Sequence, residues 1–327
     1  MKRDFNLITI VIAQIIVGLT LPTAASAQEG LLYETEAIAG SDIPVSYHLI
    51  ETTDGLFTPI GLRKPPGDGP FPIVLFASGN GGEGLRYVKD YSHNRGWTLE
   101  QFLDAGYAVA WMRYRAEVDV PVYDGTPLNA RSWSGRARLS RSPLDYEDIV
   151  TIIEYAKTLT FIDADRVGYM GMSHGGEMLM KIASEYPELV RVGIASEPAS
   201  SVFMALAPRD RNAPDRPETM ATSTADEAVE AVRRRVNKAV AMQRIEPISI
   251  PIFVQGRDRD HNQDTFTVNY ELLRDAGKEV EWESYDHDRH GFVYVSRNAD
   301  GIYDPDSIQR EAVADSIAFF DRYMKTR

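Results

Sequence analysis

The chain has 327 residues, 43% of them hydrophobic and 25% charged, which excludes a disordered chain and supplies enough apolar residues for a sizeable core. Its net charge is −13, which argues against nucleic acid as a partner. It holds no cysteine, so disulfides, a cysteine nucleophile and a lipid-anchored cysteine are all excluded.

The chain opens on a processing segment. Lys2 and Arg3 precede an apolar run from Leu7 to Leu21, and Ala25-Ser26-Ala27 forms an A-x-A cleavage site. Residues 1–27 are therefore expected to be a signal peptide, with the mature domain over 28–327 at a net charge of −14. The competing reading is an uncleaved anchor, since the uncharged stretch Phe5 to Gln28 could span a bilayer. Pro22 and the small residues after it favour cleavage, and hence an exported protein, periplasmic or extracellular, with no membrane attachment afterwards.

Ile43 to Ile50 and Phe57 to Arg63, separated by the turn Thr53-Asp54-Gly55, read as an opening antiparallel pair. Pro72 to Ala77 is a continuous apolar run of the kind buried on both faces of a sheet, and the Gly-rich loop Gly79 to Gly82 follows it. Thr98 to Ala105 has helical spacing stopped by Gly106, and Tyr107 to Met112 is a second buried strand. The stretch to Arg141 is loop-like and basic. Leu144 to Leu159 reads as an amphipathic helix with Ile149, Ile152, Ile153 and Ala156 on one face.

Val167 to Gly171 is a strand that leads through a tight turn into a helix from Gly175 to Tyr186, and Val190 to Ala195 is the next strand. Met204 to Pro247 is too long for a plain loop and reads as a helical lid insertion, its second half a helix with Val229, Val232, Val236 and Val240 on one side. A strand at Pro251 to Gln255, a helix from Phe266 to Ala276, a strand from Glu279 to Tyr285 and a closing helix from Ile308 to Tyr323 complete the pattern. Alternation of this kind predicts an α/β class with a doubly wound, mostly parallel sheet and one domain.

Gly171-Met-Ser173-His-Gly175 matches G-x-S-x-G between a predicted strand and a predicted helix, the context in which a serine is presented on a sharp turn as a nucleophile. The alternative is a Gly-Ser turn without chemistry. A serine hydroxyl needs a base within hydrogen-bond reach, and His290, in Asp288-Arg-His-Gly-Phe292 just past the last strand, is the favoured candidate, with His287 its competitor. The orienting acid belongs in the loop Gly256 to Asn262, where Asp260 is favoured over Asp258, and Asp264 is expected to cap the following helix. Backbone N–H groups of His174 and Asn80 are the candidate oxyanion donors.

The loop Gly79 to Gly82 is no phosphate cradle, because no Lys-Ser/Thr pair follows it. His48, His93 and His261 show no metal spacing and H-E-x-x-H is absent, so no metal and no cofactor are expected. Arg233, Arg234 and Arg235 could face an acidic substrate but read as a solvated face. Trp97, Trp111 and Trp133 could line a pocket or simply pack.

These residues resemble the catalytic domain of the prolyl oligopeptidase family and its dienelactone-hydrolase-like relatives, from about Asp54 onward. The resemblance rests on Pro70 to Leu75 before the Gly-rich loop, Gly106-Tyr-Ala-Val109 leading to Tyr114-Arg115, Asp163 to Val167 before the turn, Gly171 to Gly176, and His290-Gly-Phe292. It implies an α/β-hydrolase fold and the triad Ser173, Asp260, His290. Three features depart from the family's pattern. Ser78-Gly79 replaces His-Gly, the aspartate loop holds one extra residue, and an N-terminal β-propeller has no room. A cysteine-dependent dienelactone hydrolase is excluded. The expected function is hydrolysis of an ester or short-peptide acyl bond, the partner being a small-molecule ester or short peptide. The competing function is ligand binding by a non-catalytic homologue, which requires a broken triad.

Overall fold

The computed structural model describes residues 30–52, 57–79, 84–113, 143–207 and 225–325. In chain order its elements are β1 (Gly30–Glu36), β2 (Val45–Glu51), β3 (Phe57–Arg63), β4 (Phe71–Ala77), α1 (Gly84–Asn94), α2 (Trp97–Asp104), β5 (Ala108–Met112), α3 (Pro143–Thr158), β6 (Ile162–Met172), α4 (His174–Glu185), β7 (Val192–Ser196), α5 (Ala225–Arg233), α6 (Lys238–Ile245), β8 (Ile252–Arg257), α7 (Gln263–Asp275), β9 (Val280–Tyr285) and α8 (Ser307–Met324). The strands form one sheet in the order β1-β2-β3-β5-β4-β6-β7-β8-β9. From β5 through β9 all neighbours are parallel, while β1, β2, β3 and β5 pair antiparallel. This is the mostly parallel, doubly wound arrangement of an α/β-hydrolase fold.

The unbroken apolar runs are explained by burial of both faces. Along β4, Ile73, Leu75 and Ala77 enter one core while Val74 and Phe76 enter the other. The first core is covered by α3, α4 and α7, through side chains such as Ile149, Ile152, Leu179, Ile182, Val268 and Leu272. The second is closed by α1, α2 and α8, through Val88, Phe102, Phe319 and Phe320. With helices on both faces, every parallel strand delivers its C-terminal end to the same edge of the sheet, where ligands bind in open α/β folds.

Two elements were not anticipated from sequence. Strand β1 is an edge strand whose Leu31, Leu32 and Tyr33 are exposed, so it lacks the alternation that burial of one face imposes. Helix α1 follows the Gly-rich loop; its Val88 and Tyr91 are buried in the core, and Leu85 and Tyr87 pack against it half-buried. The single helix expected over Val229 to Val240 is instead two, α5 and α6. They break where Asn237 accepts the Val240 N–H as the N-cap of α6 and Val236 bridges to Leu206. Val232, Ala241 and Ile245 are buried in the same core as α4 and α7, and Arg233 reaches Glu271 of α7 at 2.5 Å. These helices therefore extend the layer on that face of the sheet; residues 208–224 of the expected lid lie outside the described residues, as do 1–29. Arg235 donates to Ala207 O at 2.8 Å, so this arginine run secures chain to chain. Trp111 is buried and donates to Val88 O, Trp97 packs in the same core, and Trp133 lies outside the described residues.

Asp264 is not the cap of α7. Asn262 holds that position, and Asp264 sits in the first turn with its Oδ1 accepting the Thr265 N–H at 2.8 Å. The helix starts three residues before Phe266, because Asp260 and Asn262 together turn the chain and accept the first N–H groups.

The last helix is seated by aromatic packing. Phe320 is fully buried, meets Phe102 edge-on at 5.7 Å and covers Gly168, where any Cβ would come within 2.6 Å of its ring. Phe320→Ala is expected to cost about 3–5 kcal/mol, read as a lowered urea midpoint with an unchanged slope.

Candidate active site

The turn after β6 is built by glycines. Ser173 has φ 56° and ψ −113°, a strained conformation for a side-chain-bearing residue. It is partly exposed at the head of α4, whose first N–H groups and positive dipole end point toward it. A Cβ on Gly171 would overlap the Gly175 carbonyl, one on Gly175 would overlap the Ala77 carbonyl, and one on Gly176 would meet Pro198. The turn is fastened by the Ser173 N–H to Ser196 O at 2.9 Å and by the Ala199 N–H to Ser173 O at 2.9 Å. The residue after the serine, His174, is buried, and its ring stands 3.8 Å from the buried Glu177. Burial alone would raise the Glu177 pKa, but His174, Lys181 and the Phe203 N–H hold it below the usual carboxylate range. Glu177 also accepts the N–H groups of Val202 and Phe203 at 2.8 Å, tying α4 to the segment after β7.

Asp260 and His290 meet across the ends of β8 and β9. His290 Nδ1 lies 2.8 Å from Asp260 Oδ2. Asp260 is fully buried, and its other oxygen accepts the Asn262 N–H at 2.8 Å. The extra residue of this loop is absorbed by Arg259, which takes φ 64°, so the chain turns once more and aims Asp260 inward. Asp258 instead faces β9, where it accepts the Ser284 hydroxyl. His287 is likewise elsewhere: its Nε2 is 3.1 Å from Asp306 at the start of α8 and its ring stacks on Phe292. The elbow and the histidine loop converge through Met172, against whose side chain a Cβ at Gly79 or at Gly291 would press at 3.3 and 3.1 Å.

Two further residues at this edge were not anticipated. Glu197, immediately beyond β7, is fully buried with φ 48°. Its Oε1 stands 3.4 Å from both His290 Nδ1 and Arg257 Nε, and its Oε2 accepts the Gly291 N–H at 2.6 Å. Arg257, the last residue of β8, donates to Asp260 Oδ2 at 2.9 Å and to His287 O at 2.8 Å. The available signal was positional, since Glu197 follows a buried strand on the same edge as Ser173.

The charges set the protonation. Burial alone would lower the His290 pKa, but the hydrogen bond to Asp260 and the pull of Glu197 outweigh it and push the value up to about 9. Burial would raise the Asp260 carboxyl, but the bonds from His290 and the Asn262 N–H hold it down to about 2. His261 adds a ring edge-on to His290 at 5.1 Å and places its Nδ1 3.0 Å from Asp260 Oδ1. Asp260, His261 and His290 hold donor atoms within 4.8 Å of one another. The Asp260 oxygens are already engaged, Oδ2 with His290 Nδ1 and Oδ1 with the Asn262 N–H.

Next to Ser173 lies the loop after β4. A Cβ on Gly79 would come 3.2 Å from that of Ser173. Buried Arg113, at the end of β5, donates to Ser78 Oγ and to Gly79 O, and lies 3.8 Å over the Tyr87 ring. Asn80, the other expected donor, is outside the described residues.

The sequence profile of the prolyl oligopeptidase family matches residues 93–327. Among solved structures, esterase Est22 has a TM-score of 0.59 at 17% identity, over 85% of this chain and 80% of that one. Dipeptidyl peptidase 4 of Porphyromonas gingivalis has a TM-score of 0.57 at 15% identity over 86% of this chain, which spans 36% of the peptidase. An esterase of Pyrobaculum calidifontis has a TM-score of 0.53 at 16% identity, over 88% of this chain and 87% of that one. At these identities the likeness is one of fold.

The elbow tolerates no side chain at Gly175. Gly175→Ala should lower stability by about 1–3 kcal/mol or more, because the obstruction is backbone rather than a movable side chain; denaturant titration against wild type checks it.

Proposed function

Because the chain belongs to the prolyl oligopeptidase family and is a serine hydrolase of the α/β-hydrolase class, we propose that it cleaves an ester or short-peptide acyl bond through an acyl-enzyme on Ser173. The observation that carries this reading is the 2.8 Å pairing of His290 Nδ1 with buried Asp260, on the sheet edge where the strained Ser173 turn ends β6. A carboxylate there accepts the Nδ1 proton and leaves Nε2 with a free lone pair, the form of imidazole that can act as a base.

Ser173 Oγ attacks the substrate carbonyl while its proton passes to His290 Nε2. The carbonyl oxygen becomes an oxyanion, for which the His174 and Asn80 N–H groups are the proposed donors. Collapse expels the alcohol or amine, which takes the proton from His290. Water then repeats the sequence in reverse roles, with His290 as base, and releases the acid and free Ser173. Asp260 compensates the imidazolium in both halves.

The reading includes export, with residues 1–27 removed as a signal peptide. The A-x-A site ends at Ala27, shortly before the first described strand begins at Gly30.

Fluorophosphonate labelling of the full chain, read by intact mass, should add one adduct that disappears in Ser173→Ala and in His290→Ala, with kcat lowered by about 10⁴-fold or more in each. A folded wild type that takes no label would overturn the Ser173 mechanism. A panel of activated esters against amino-acid anilides then separates esterase from peptidase.

The pH profile follows from His290. Only neutral imidazole accepts the Ser173 proton, so with its pKa pushed up to about 9 kcat/KM should rise with pH to an acid limb well above the unperturbed histidine range. A limb at or below about 6.5 in the free enzyme would contradict the charge arrangement at His290.

A further inference from the structure

Glu197 is buried, carries charge, and has no part in a Ser-His-Asp triad. Its Oε1 makes no hydrogen bond among the described residues, yet it stands 3.4 Å from His290 Nδ1 and 3.4 Å from Arg257 Nε. The backbone holds it there at φ 48°, a conformation costly for a residue with a Cβ, and its N–H is fixed to Gln255 O at 2.7 Å. We propose that Glu197 is a second acid for His290, a positioning residue that cancels the charge of Arg257 and holds the turn carrying the imidazole.

The reasoning is one of charge balance in a buried space. Four ionisable groups meet: Asp260 and Glu197 as anions, Arg257 as a cation, and His290. With neutral imidazole the group carries one net negative charge, and with imidazolium it carries none. Remove Glu197 and the cluster shifts by one positive charge, to neutral with imidazole and to +1 with imidazolium, because Arg257 already donates to the same Asp260 oxygen that His290 uses. Protonating His290 would then leave one positive charge uncompensated in a site with little solvent, which opposes the proton transfer that the reaction requires. Two further titratable groups face the cluster among the described residues: His261 touches the far oxygen of Asp260 and the edge of the imidazole and helps hold that carboxyl down, and the buried Tyr294 phenol is pushed up, chiefly by burial, with the Glu197 charge adding to it; both are unchanged in every variant compared below.

Geometry gives Glu197 a second part. Its Oε2 takes the Gly291 N–H at 2.6 Å, and Gly291 turns at φ 73° against Met172. The carboxylate thus ties the loop that carries His290 to the end of β7, beside the strand that ends in Ser173.

The kinetic consequences rest on the Ser173 reading, whereas the titration of His290 does not. The variants Glu197→Gln, Glu197→Asp, Arg257→Gln and Glu197→Gln/Arg257→Gln are compared with wild type by thermal unfolding, by kcat and KM on an activated ester, and by NMR of histidine-labelled protein. Glu197→Gln should lower kcat about 10- to 100-fold with KM nearly unchanged, and should move the His290 titration down by about one pH unit or more. Removing the orphaned cation in the double variant should restore part of both, and Glu197→Asp should fall between.

A kcat within about twofold of wild type together with an unmoved titration in Glu197→Gln would overturn the proposal. So would a double variant that loses at least as much as Glu197→Gln alone, which marks a purely structural role. If Glu197→Gln does not fold, Asp260→Asn/Arg257→Gln decides: with Glu197 the one acid left and its cation removed, His290 should still titrate above the ordinary value, and a value at or below it overturns the assignment. A wild type without turnover or label defeats the Ser173 reading and leaves the titration to judge Glu197 separately.

Discussion

The close approach of the turn after β6 to the end of β4 is the constraint on which the rest depends. The Gly175 backbone lies against the Ala77 carbonyl with no room for a Cβ, and Gly171 lies against Gly175 itself. Contact this close lets α4 begin directly beneath Ser173 and brings the loop at Gly79 to within van der Waals reach of the serine. Without the glycines β6 and β4 could still pair, but the helix would have to start farther along and the serine would lose its place at the helix head. Strain at Ser173 is tolerated because the surrounding packing and the hydrogen bonds to Ser196 O and from Ala199 N–H leave it no alternative.

From that turn the other site residues follow by sheet geometry. Parallel strands end at one edge, so the residues just beyond β6, β7, β8 and β9 are neighbours although they lie far apart in sequence. Ser173, Glu197, Asp260 and His290 occupy those four ends in order. Successive main-chain bonds stitch the row together, from Ser173 N–H to Ser196 O, Glu197 N–H to Gln255 O, and Asp258 N–H to Tyr285 O. The site is therefore fastened through the main chain at the ends of adjacent strands. A displacement of one strand end would be felt by every group in the row.

How much of this could be read from sequence follows from how local each signal is. The buried parallel strands were legible because burial on both faces writes an unbroken apolar run, as in Pro72 to Ala77. Ser173 was legible because the turn needs glycines at fixed offsets. Asp260 was favoured over Asp258 only from the run leading into the next helix, because the two differ in which way the chain turns at Arg259, and a positive φ at an arginine leaves no trace in composition. Glu197 and Arg257 were missed for another reason. Each follows or ends an apolar strand as an isolated charge, and only the pairing of β7 with β8 reveals that the two charges meet. Strand β1 leaves Leu31, Leu32 and Tyr33 exposed and so lacks a period-two pattern, whereas helix α1 is amphipathic but short and mostly polar. The split between α5 and α6 turned on a tertiary bridge from Val236 to Leu206 that no local pattern records.

The departure at Ser78-Gly79 has a physical counterpart in Arg113. This chain sets a buried guanidinium against the loop, stacked on Tyr87 and donating to Ser78 Oγ and Gly79 O. A charged donor on a carbonyl oxygen draws electron density through the peptide group and makes the N–H of the same group a stronger donor. The peptide group whose oxygen is Gly79 O carries the N–H of Asn80, the donor proposed for the oxyanion. On the proposed mechanism the arginine would support the oxyanion electrostatically without touching it, while its own charge faces the Tyr87 ring and the loop carbonyl. A neutral side chain at this position could fill the same volume, but it could not polarise the peptide.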